Sequence, residues 1–347
     1  MKIPKKILFR GLGGAGQRHL RLMRHKFPEA EMFACRGVKN TPLLNADFSI
    51  NKNSSLEKLY NLKVCKSLGE AYGYEPDLVV ISMPSSILAG ESIRALQNDC
   101  DVISEKPGAI NLRQGGEIVS AELKSKGMFL LSYQRQHHPI VCKARSFIDS
   151  SMIGNMMNIR ISVSSNVPSW HPYEDYRSLY ACRKDLGGGV ILTEIHELYF
   201  LVSLVGLPKS VVAFKKEGTS FGIDVEYMVS AIFDYGTFLV NFDICFMQAK
   251  AERKIQINGD SGWIDLDLVE GHMEYLLKNG VRDAYISDIS NDDMFISQLE
   301  MFFSDSTMVI NQNEYFLKTL FLADTIKESC ITGRMQMIDQ SLLPGFS

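Results

Sequence analysis

The spacing of glycines in residues 6–22, KILFRGLGGAGQRHLRL, constrains the fold more than any other feature of the chain. Strand-forming residues lead into G-x-G-x-x-G at Gly11, Gly13 and Gly16, and a segment with helical periodicity follows. In this context the first glycine permits a tight turn, the second lets a pyrophosphate approach the backbone, and the third lets the helix pack close to the strand. Free N–H groups at the start of the helix would hold the phosphates. The alternative is a glycine-rich turn without a ligand. The predicted phosphate site consists of Gly11, Gly13, Gly14, Ala15 and Gly16.

Length and composition favour a globular protein with two domains. The chain has 347 residues, of which 46% are hydrophobic and 22% are charged. The net charge of −3 and the lack of a long basic run exclude nucleic acid as an expected partner. The seven cysteines form no C-x-x-C pair, so the sequence predicts no metal site and no disulfide framework.

Cysteine usage and hydropathy also predict where the protein acts. An odd number of thiols fits a reducing compartment. The apolar run after the first lysines is too short for a signal peptide, and no segment has the length of a membrane span. We therefore expect a cytoplasmic protein without a membrane partner.

The second predicted strand, residues 31–37, bears on the choice of cofactor. NAD-binding sites usually carry Asp or Glu at the end of this strand, where the carboxylate binds the ribose hydroxyls. Here Arg36 occupies that position, and a guanidinium suits a 2′-phosphate. The sequence favours NADP over NAD, unless Arg36 is only solvated surface.

Strands and helices alternate from residue 6 to about residue 134, which predicts a doubly wound parallel sheet. The apolar strand at 77–82 ends at Ser82, and Pro84 follows two residues later. The strand at 101–104 is followed by Glu105 and Lys106. Such sheets bind ligands at the carboxyl ends of their strands. We therefore predict a dinucleotide-binding Rossmann domain over residues 1–134.

The pattern changes to an α+β domain over residues 135–347, predicted to bind substrate and to mediate oligomerisation. Alternating segments between 156 and 268 predict a large antiparallel sheet. A single apolar helix is predicted over 190–205, with helices near 293–303 and 314–332. The strand at 238–247 has apolar residues on both faces, and the second face needs cover. A homodimer or homotetramer would provide it.

Four features in this order resemble the Gfo/Idh/MocA oxidoreductases, the group of glucose–fructose oxidoreductase and inositol dehydrogenase. They are the G-x-G-x-x-G turn with His19, Met83-Pro84, Glu105-Lys106-Pro107, and Gly187-Gly188-Gly189 with His196. The resemblance implies a Rossmann domain, a second domain with an open-faced antiparallel sheet, and an active site between them. It also implies hydride transfer between a nicotinamide and a sugar or cyclitol carbon. Residues 175–189 resemble members that act on nucleotide-linked sugars in bacterial surface-glycan pathways.

The resemblance implies two catalytic residues, Lys106 and His196. In the family the lysine contacts the nicotinamide ribose and the reacting hydroxyl, where it can accept or supply the proton. Glu105 would orient the loop or pair with a neighbouring charge. The histidine would serve as acid or base. The alternatives are a surface lysine before a turn and a histidine packed at an interface.

This chain departs from the family pattern at several positions. Thr193 and Tyr199 stand where members commonly carry aspartates, Leu88 where many carry histidine, and Gln136 in place of an arginine. Gln134 could still bond the carboxamide or ribose of the cofactor. These departures leave open a second hypothesis, a dinucleotide-binding sensor or assembly protein without dehydrogenase turnover.

The aromatic and basic segment 170–183 is the predicted substrate contact, since arginine forks suit a diphosphate or a carboxylate. The alternative is that its aromatics pack in the core and its arginines are solvated. The predicted substrate-binding residues are Tyr176, Arg177, Arg183, Thr193 and His196. The predicted cofactor-binding residues are Gly11, Gly13, Gly14, Ala15, Gly16, Arg36, Ser82, Pro84, Glu105, Lys106 and Gln134.

Overall fold

The computed structural model describes residues 2–35, 41–171, 173–304 and 307–343. Internal contacts divide the chain into two compact units. The first comprises Met1–Ser132, His171–Asp175 and Phe295–Phe316, and the second comprises Tyr133–Trp170, Tyr176–Met294 and Leu317–Ser347. The two units are defined by contacts and not by function. The predicted functional boundary at residue 134 therefore stays a prediction.

The first unit contains the predicted doubly wound sheet. Within the described residues, its six strands are all parallel in the order β3-β2-β1-β4-β5-β6. The central strand β4 is four consecutive buried apolar residues, as expected when helices cover both faces of a parallel sheet. The elements are β1 (Lys6–Arg10), α1 (Gly14–Lys26), β2 (Glu31–Cys35), α2 (Leu56–Tyr60), β3 (Leu62–Cys65), α3 (Leu68–Gly73), β4 (Leu78–Ile81), α4 (Ser85–Gln97), β5 (Asp101–Glu105), α5 (Leu112–Glu122) and β6 (Phe129–Ser132).

Residues from the end of the chain complete this unit. The edge strand β6 leaves the backbone of Leu131 to be paired by side chains. The amides of Gln298 and Gln312 donate to the Leu131 carbonyl over 2.9 and 2.8 Å, and Gln312 also accepts from its N–H. The apolar residues Phe295 and Phe302 join the core cluster of the sheet and α1. The two glutamine side chains cover the β6 edge of the parallel sheet.

The second unit contains the sheet that supports the C-terminal half. Nine strands of the described chain follow the order β14-β13-β12-β11-β7-β10-β9-β8-β15. The elements here, with the two closing helices, are α6 (Pro139–Asp149), β7 (Met156–Asn166), α7 (Val190–Thr193), α8 (His196–Val205), β8 (Ser210–Glu217), β9 (Glu226–Asp234), β10 (Leu239–Cys245), β11 (Met247–Gly259), β12 (Trp263–Asp267), β13 (His272–Leu276), β14 (Arg282–Ile286), α9 (Asn291–Ser304), α10 (Thr307–Thr332) and β15 (Gln336–Met337).

The sheet is largely antiparallel, as predicted, and contains one parallel pair. β7 and β10 pair in parallel, while the other neighbours pair antiparallel. Parallel neighbours need a long crossover connection, and here the chain between them runs through α7, α8, β8 and β9. The short strands β13, β14 and β15 had no clear sequence signal.

The two faces of this sheet differ in character. One row of opposed residues, Phe233, Val240, Ile159, Ile257 and Ile264, is fully buried. The opposite face carries polar residues in its middle and exposed apolar residues toward β8. We call this second surface the open face. Its most exposed apolar residues on β8, β9 and β10 are Phe214, Ile232 and Leu239.

The single helix predicted over residues 190–205 is wrong, because the structure interrupts it after Thr193. α7 ends there, and α8 begins at His196, with a bend of 51° between the helical segments on either side. Thr193 and His196 therefore do not share the face of one continuous helix. Glu194, within the interruption, and Glu197, in the first turn of α8, both pair with Arg253 on β11.

No single helix of the described chain is long and apolar enough to cross a membrane. The bent pair around 184–205 passes by length and composition, but its residues from Val190 to Val202 are all buried in the fold.

Candidate active site

The three motif glycines have different structural reasons. Gly11 has φ +89°, and a Cβ atom on it would lie 2.2 Å from the carbonyl oxygen of Ser82. A Cβ atom on Gly16 would lie 2.1 Å from the carbonyl oxygen of Gly11, so the helix can approach the strand only through glycine. Gly13 has an ordinary φ of −71°, and no atom of the described residues lies within 4 Å of its Cβ position. The first and third glycines serve the fold, and the second borders open space.

The start of α1 is suited to bind an anion. Gly13 occupies the N-cap position without a side-chain capping bond, and no acidic residue lies in the first turn. The N–H groups of Gly14 and Ala15 lie in that first turn, where helix N–H groups lack intrahelical partners. The open space above Gly13 has room for the predicted pyrophosphate, whose binding here stays a prediction.

The end of β4 adds polar groups at the same edge of the sheet. The Ser82 N–H donates to the Arg10 carbonyl over 2.8 Å, which places Ser82 beside the glycine turn. Its hydroxyl is buried, with no hydrogen-bond partner in the described part of the chain. Pro84 is the N-cap residue of α4. A buried hydroxyl that lacks a protein partner fits a polar ligand at this place.

Glu105 and Lys106 follow β5 and form the charged part of the site. Nε2 of His19 lies 2.7 Å from Oε1 of Glu105. Burial disfavours the charge of Glu105. The His19 hydrogen bond and the nearby charges of His19, Lys106 and Arg18 outweigh it, so the pKa of Glu105 lies below its ordinary value. Lys106 is half-buried, and its peptide bond to Pro107 is cis. An ionised Glu105 therefore lies next to the predicted catalytic lysine.

Tyr133 and Gln134 follow β6 and belong to the second unit. The Tyr133 ring stacks on Tyr199 at 3.9 Å and meets the ring of His196 edge-on at 5.7 Å. Burial raises the pKa of Tyr133 above its ordinary value, so its hydroxyl stays protonated. Oε1 of Gln134 is buried, without a hydrogen-bond partner among the described residues. The contact of this amide with a cofactor carboxamide or ribose stays a prediction.

His196 lies in a buried charged cluster that sequence reasoning missed. Nη2 of Arg253 lies 2.5 Å from Oε2 of Glu194, and Nη1 pairs with Oε1 of Glu197. Burial works against the charge of Arg253, but the two carboxylates raise its pKa above the ordinary value. Two glutamates flanking His196 in an apolar segment were the available signal, since buried carboxylates need a partner. Arg253 thereby fixes the chain on both sides of His196.

The glycine run before His196 is also shaped by a buried carboxylate. Gly189 has φ +107°, and a Cβ atom on it would lie 2.2 Å from Oε1 of Glu226. The Ile191 N–H lies 3.4 Å from the same oxygen, near the start of α7. Burial raises the pKa of Glu226 above its ordinary value. The third glycine of the run thus makes room for a carboxylate.

The predicted substrate residues lie in different surroundings. Tyr176 donates its hydroxyl to the carbonyl of Phe221 over 2.8 Å, and the guanidinium of Arg177 lies 5.8 Å from the Tyr176 ring centre. Arg183 is exposed and forms a forked pair with Asp185. Thr193 is buried at the end of α7. Arg36 lies outside the described residues.

Titratable side chains of the described residues form no group of three or more that could hold a metal ion.

Two family models match the chain. The NAD-binding Rossmann fold of the oxidoreductase family matches residues 5–133, and the GFO/IDH/MocA C-terminal domain matches residues 141–265. Together they span more than half of the chain. The chain therefore belongs to the GFO/IDH/MocA family of NAD-binding oxidoreductases, as the sequence motifs predicted.

Sequence relatives cover only part of the chain. It is 28% identical over 145 residues to trans-1,2-dihydrobenzene-1,2-diol dehydrogenase of Xenopus laevis, which is 40% of this chain and 42% of that protein. The corresponding enzyme of Xenopus tropicalis is 26% identical over the same length and the same shares. The chain thus spans less than half the length of the curated relatives it matches.

Solved structures share the fold over nearly the whole chain. WlbA dehydrogenase from Bordetella pertussis, in complex with NADH and UDP-GlcNAcA, has a TM-score of 0.73 at 17% identity, over 96% of this chain and 97% of that one. Levoglucosan dehydrogenase in complex with NADH and L-sorbose has a TM-score of 0.77 at 14% identity, over 96% and 99%. At these identities the likeness establishes the fold.

Proposed function

We propose that this chain is an NAD(P)-dependent oxidoreductase that transfers a hydride between the nicotinamide and a carbon of a sugar or nucleotide-linked sugar, in bacterial surface-glycan biosynthesis. One observation carries the proposal. The open space above Gly13 and the charged Glu105–Lys106 loop lie at the carboxyl edge of one parallel sheet. WlbA, solved with UDP-GlcNAcA, and levoglucosan dehydrogenase, solved with L-sorbose, support a sugar substrate by likeness of fold.

The proposed chemistry assigns the proton to this chain's own side chains. A bound nicotinamide would supply the acceptor or donor of the hydride. When an alcohol is oxidised, its hydroxyl proton must leave as the hydride leaves carbon, and Lys106 as a free amine would take it. In the reverse direction its ammonium would polarise the carbonyl and return the proton. Glu105, held by His19, would keep the loop that carries Lys106 in place.

His196 is the second proposed acid or base, and Thr193 would bind a sugar hydroxyl. The pairs of Arg253 with Glu194 and Glu197 support this assignment, because they fix the chain on both sides of the imidazole. Tyr176, Arg177 and Arg183 remain the proposed substrate contacts. Arg183 would have to exchange its fork with the Asp185 carboxylate for one with the substrate.

One observation favours the second candidate, a dinucleotide-binding sensor or assembly protein without turnover. Tyr199 stands where the family commonly carries aspartate, and it stacks on Tyr133 beside His196. An aromatic ring at this position supplies no negative charge to an imidazolium. A protein whose task is binding alone would not need that charge.

The second-unit sheet supports a homodimer or homotetramer. Its open face exposes 64% of Phe214 and 49% of Leu239, and a second copy of the chain would cover these side chains. The preference for NADP, which rests on Arg36, and the cytoplasmic location both stay predictions.

A substrate panel distinguishes the two candidates. Purified protein is mixed with each oxidised and reduced cofactor and with free and nucleotide-linked sugars, and the nicotinamide absorbance is followed. Turnover with a sugar supports the oxidoreductase. Tight cofactor binding without turnover on any sugar supports the sensor, and no binding of either cofactor overturns both. Competition between NADPH and NADH tests Arg36, because tighter binding of NADH would contradict the preference for NADP.

A further inference from the structure

A short segment from far along the chain packs against the glycine turn. By its contacts, His171–Asp175 belongs to the first unit, although the residues on both sides of it belong to the second. A Cβ atom on Gly14 would lie 2.7 Å from Cε1 of Phe48 and 3.5 Å from the hydroxyl oxygen of Tyr173. The Phe48 ring and the Tyr173 hydroxyl therefore lie beside the first residue of α1.

Three aromatic side chains form one surface at this place. The rings of Phe48 and His171 lie 5.8 Å apart, and His171 stacks on Tyr173 at 5.1 Å with an angle of 15° between the planes. We call Phe48, His171 and Tyr173 the aromatic wall. Arg18, one helical turn after Gly14, has its guanidinium carbon 5.2 Å from the centre of the Phe48 ring, which is a cation–π distance. This contact links the wall to α1.

The aromatic wall lies beside Gly14, the residue that follows Gly13 in the turn. A phosphate bound by the N–H groups of Gly14 and Ala15 would lie near the Tyr173 hydroxyl. Burial, with help from the Glu174 charge, raises the pKa of Tyr173 to about 12. The hydroxyl therefore keeps its proton at neutral pH and can donate it in a hydrogen bond.

The charged groups around the Tyr173 hydroxyl have opposite effects on a bound phosphate. The distance of 3.3 Å from this hydroxyl to Nδ1 of His171 is long for a hydroxyl hydrogen bond, and the same nitrogen lies 2.9 Å from the Glu174 carboxylate. Glu174 would repel a phosphate, whereas the positive charge of Arg18 would attract it. The hydroxyl also hydrogen-bonds to the Glu174 carboxylate. A doubly charged pyrophosphate is likewise a charged acceptor, so the hydroxyl would exchange the Glu174 carboxylate for the phosphate when the ligand binds.

We propose that the aromatic wall is part of the cofactor site, with the Tyr173 hydroxyl donating a hydrogen bond to the dinucleotide pyrophosphate and Phe48 closing the space beside Gly14. The inference rests on the proposed function, since it requires a dinucleotide at the start of α1. It adds a cofactor contact that lies outside residues 5–133, the stretch matched by the Rossmann model.

Equilibrium titrations of the full chain test the proposal. NADH, NADPH and ADP-ribose are each titrated into the wild type, Tyr173→Phe and Tyr235→Phe, and binding is followed by calorimetry. Tyr235→Phe is the matched control, because it removes a hydroxyl that donates to the Gly206 carbonyl in the second unit. Tyr173→Phe should weaken all three ligands by about tenfold, the typical effect of one hydrogen bond to a charged group. Tyr235→Phe should leave the three dissociation constants unchanged.

ADP-ribose identifies the part of the cofactor that is contacted, since it carries the pyrophosphate but no nicotinamide. A loss for NADH without a loss for ADP-ribose would overturn the pyrophosphate contact. Unchanged affinity of Tyr173→Phe for all three ligands would overturn the inference and leave the proposed function standing. A wild type that binds none of them would overturn both.

Phe48→Leu provides a second variant should Tyr173→Phe fold poorly, which thermal unfolding would reveal. It keeps an apolar side chain beside Gly14 but removes the ring contacts with His171 and Arg18. Phe48→Leu should weaken NADH and ADP-ribose by the same factor, and an unchanged affinity would contradict the role of the wall.

Discussion

Nε2 of His19 lies 2.7 Å from Oε1 of Glu105, and this contact joins α1 to the end of β5 within the first unit. His19 is fully buried, with its ring against the edge of Phe295 at 5.1 Å. One hydrogen bond thus connects the helix that begins at the phosphate turn to the loop that carries Lys106. The proposed reaction needs both the phosphate turn and the loop that carries Lys106. This hydrogen bond holds the two in fixed positions relative to each other.

The lowered pKa of Glu105 predicts a specific loss of stability in acid. A carboxyl whose folded pKa lies below its unfolded value, about 4.3 for Glu, stabilises the fold above that pH. The contribution is lost as the pH falls through the folded pKa. The difference in free energy of unfolding between wild type and Glu105→Gln should therefore be constant above about pH 5 and shrink as the pH falls below about 4.3. Denaturant titrations at several pH values measure it.

Glu117→Gln is the control for this pH dependence, because Glu117 pairs with Arg113 on an exposed surface. Its difference from the wild type should stay small throughout. A Glu105→Gln difference that does not change with pH would contradict the stabilising charge of Glu105.

Two alanine substitutions in one motif should have opposite effects. Gly13→Ala places a methyl group in the open space, so stability should change by less than about 1 kcal/mol while NADH affinity falls at least about tenfold. Gly11→Ala meets the Ser82 carbonyl and a positive φ, so it should destabilise the fold by more than about 1 kcal/mol. Chemical denaturation and NADH titration of both variants separate the effects. Retained NADH binding by Gly13→Ala would contradict a pyrophosphate at this turn.

Replacing Lys106 should remove catalysis more than binding. Lys106→Met is expected to lower kcat by about 10²–10⁴-fold, the usual contribution of a positioned acid or base, and to weaken NADH binding by a smaller factor through loss of the predicted ribose contact. Steady-state kinetics on whichever sugar is turned over would measure it. Lys126→Met is the control, since Lys126 is 88% exposed and pairs loosely with Asp99. An unchanged kcat in Lys106→Met would refute the role given to this lysine.

The buried pairs of Arg253 should be costly to break. Arg253→Met leaves two buried carboxylates without their cation, and removal of one partner of a buried ion pair costs about 3–5 kcal/mol. The neighbouring Lys254 lies on the open face at 3.8 Å from Glu252, and Lys254→Met should change stability by less than about 1 kcal/mol. Denaturant unfolding compares the two, and equal losses would show that the Arg253 cluster is not a main source of stability.

Charges on the open face should disrupt an oligomer. Leu239→Glu combined with Ile232→Glu introduces charges that a covered interface cannot solvate, so the particle mass in light scattering should fall to that of a monomer. Leu123→Glu, at an 83% exposed position in the first unit, should leave the mass unchanged. A wild type that is already monomeric at micromolar concentration would refute the predicted assembly.

Local patterns were sufficient for much of the architecture. The strand, the glycine spacing and the helix at 6–26 predicted the start of the parallel sheet, because the close approach of α1 to β1 requires glycine at Gly16, within the same short segment. The phosphate site at this turn stays a prediction. The prediction of a single helix at 190–205 was wrong for a different reason. Its apolar run is continuous in sequence, and the interruption comes with an ion pair to a strand that begins at Met247.

Contacts between residues that are far apart in the sequence could not be predicted from the sequence alone. His19 and Glu105 are 86 positions apart, and Arg253 is 56 positions from Glu197, so no periodicity links either pair. The segment His171–Asp175 lies in the predicted second domain, but its contacts are with the first unit. β13 and β14 are short, and the exposed residues of β14 give no apolar alternation.

The glutamines at 298 and 312 give the first unit a particular order of assembly. On a ribosome the parallel sheet emerges first, but the backbone groups of Leu131 meet their amide partners only after some 180 further residues have been made. Until then this border strand offers open N–H and C=O groups to any neighbouring chain. The newly made sheet would therefore be most prone to pair with other chains before translation ends. A fragment ending at residue 134 lacks both glutamines, so its β6 edge would stay unpaired.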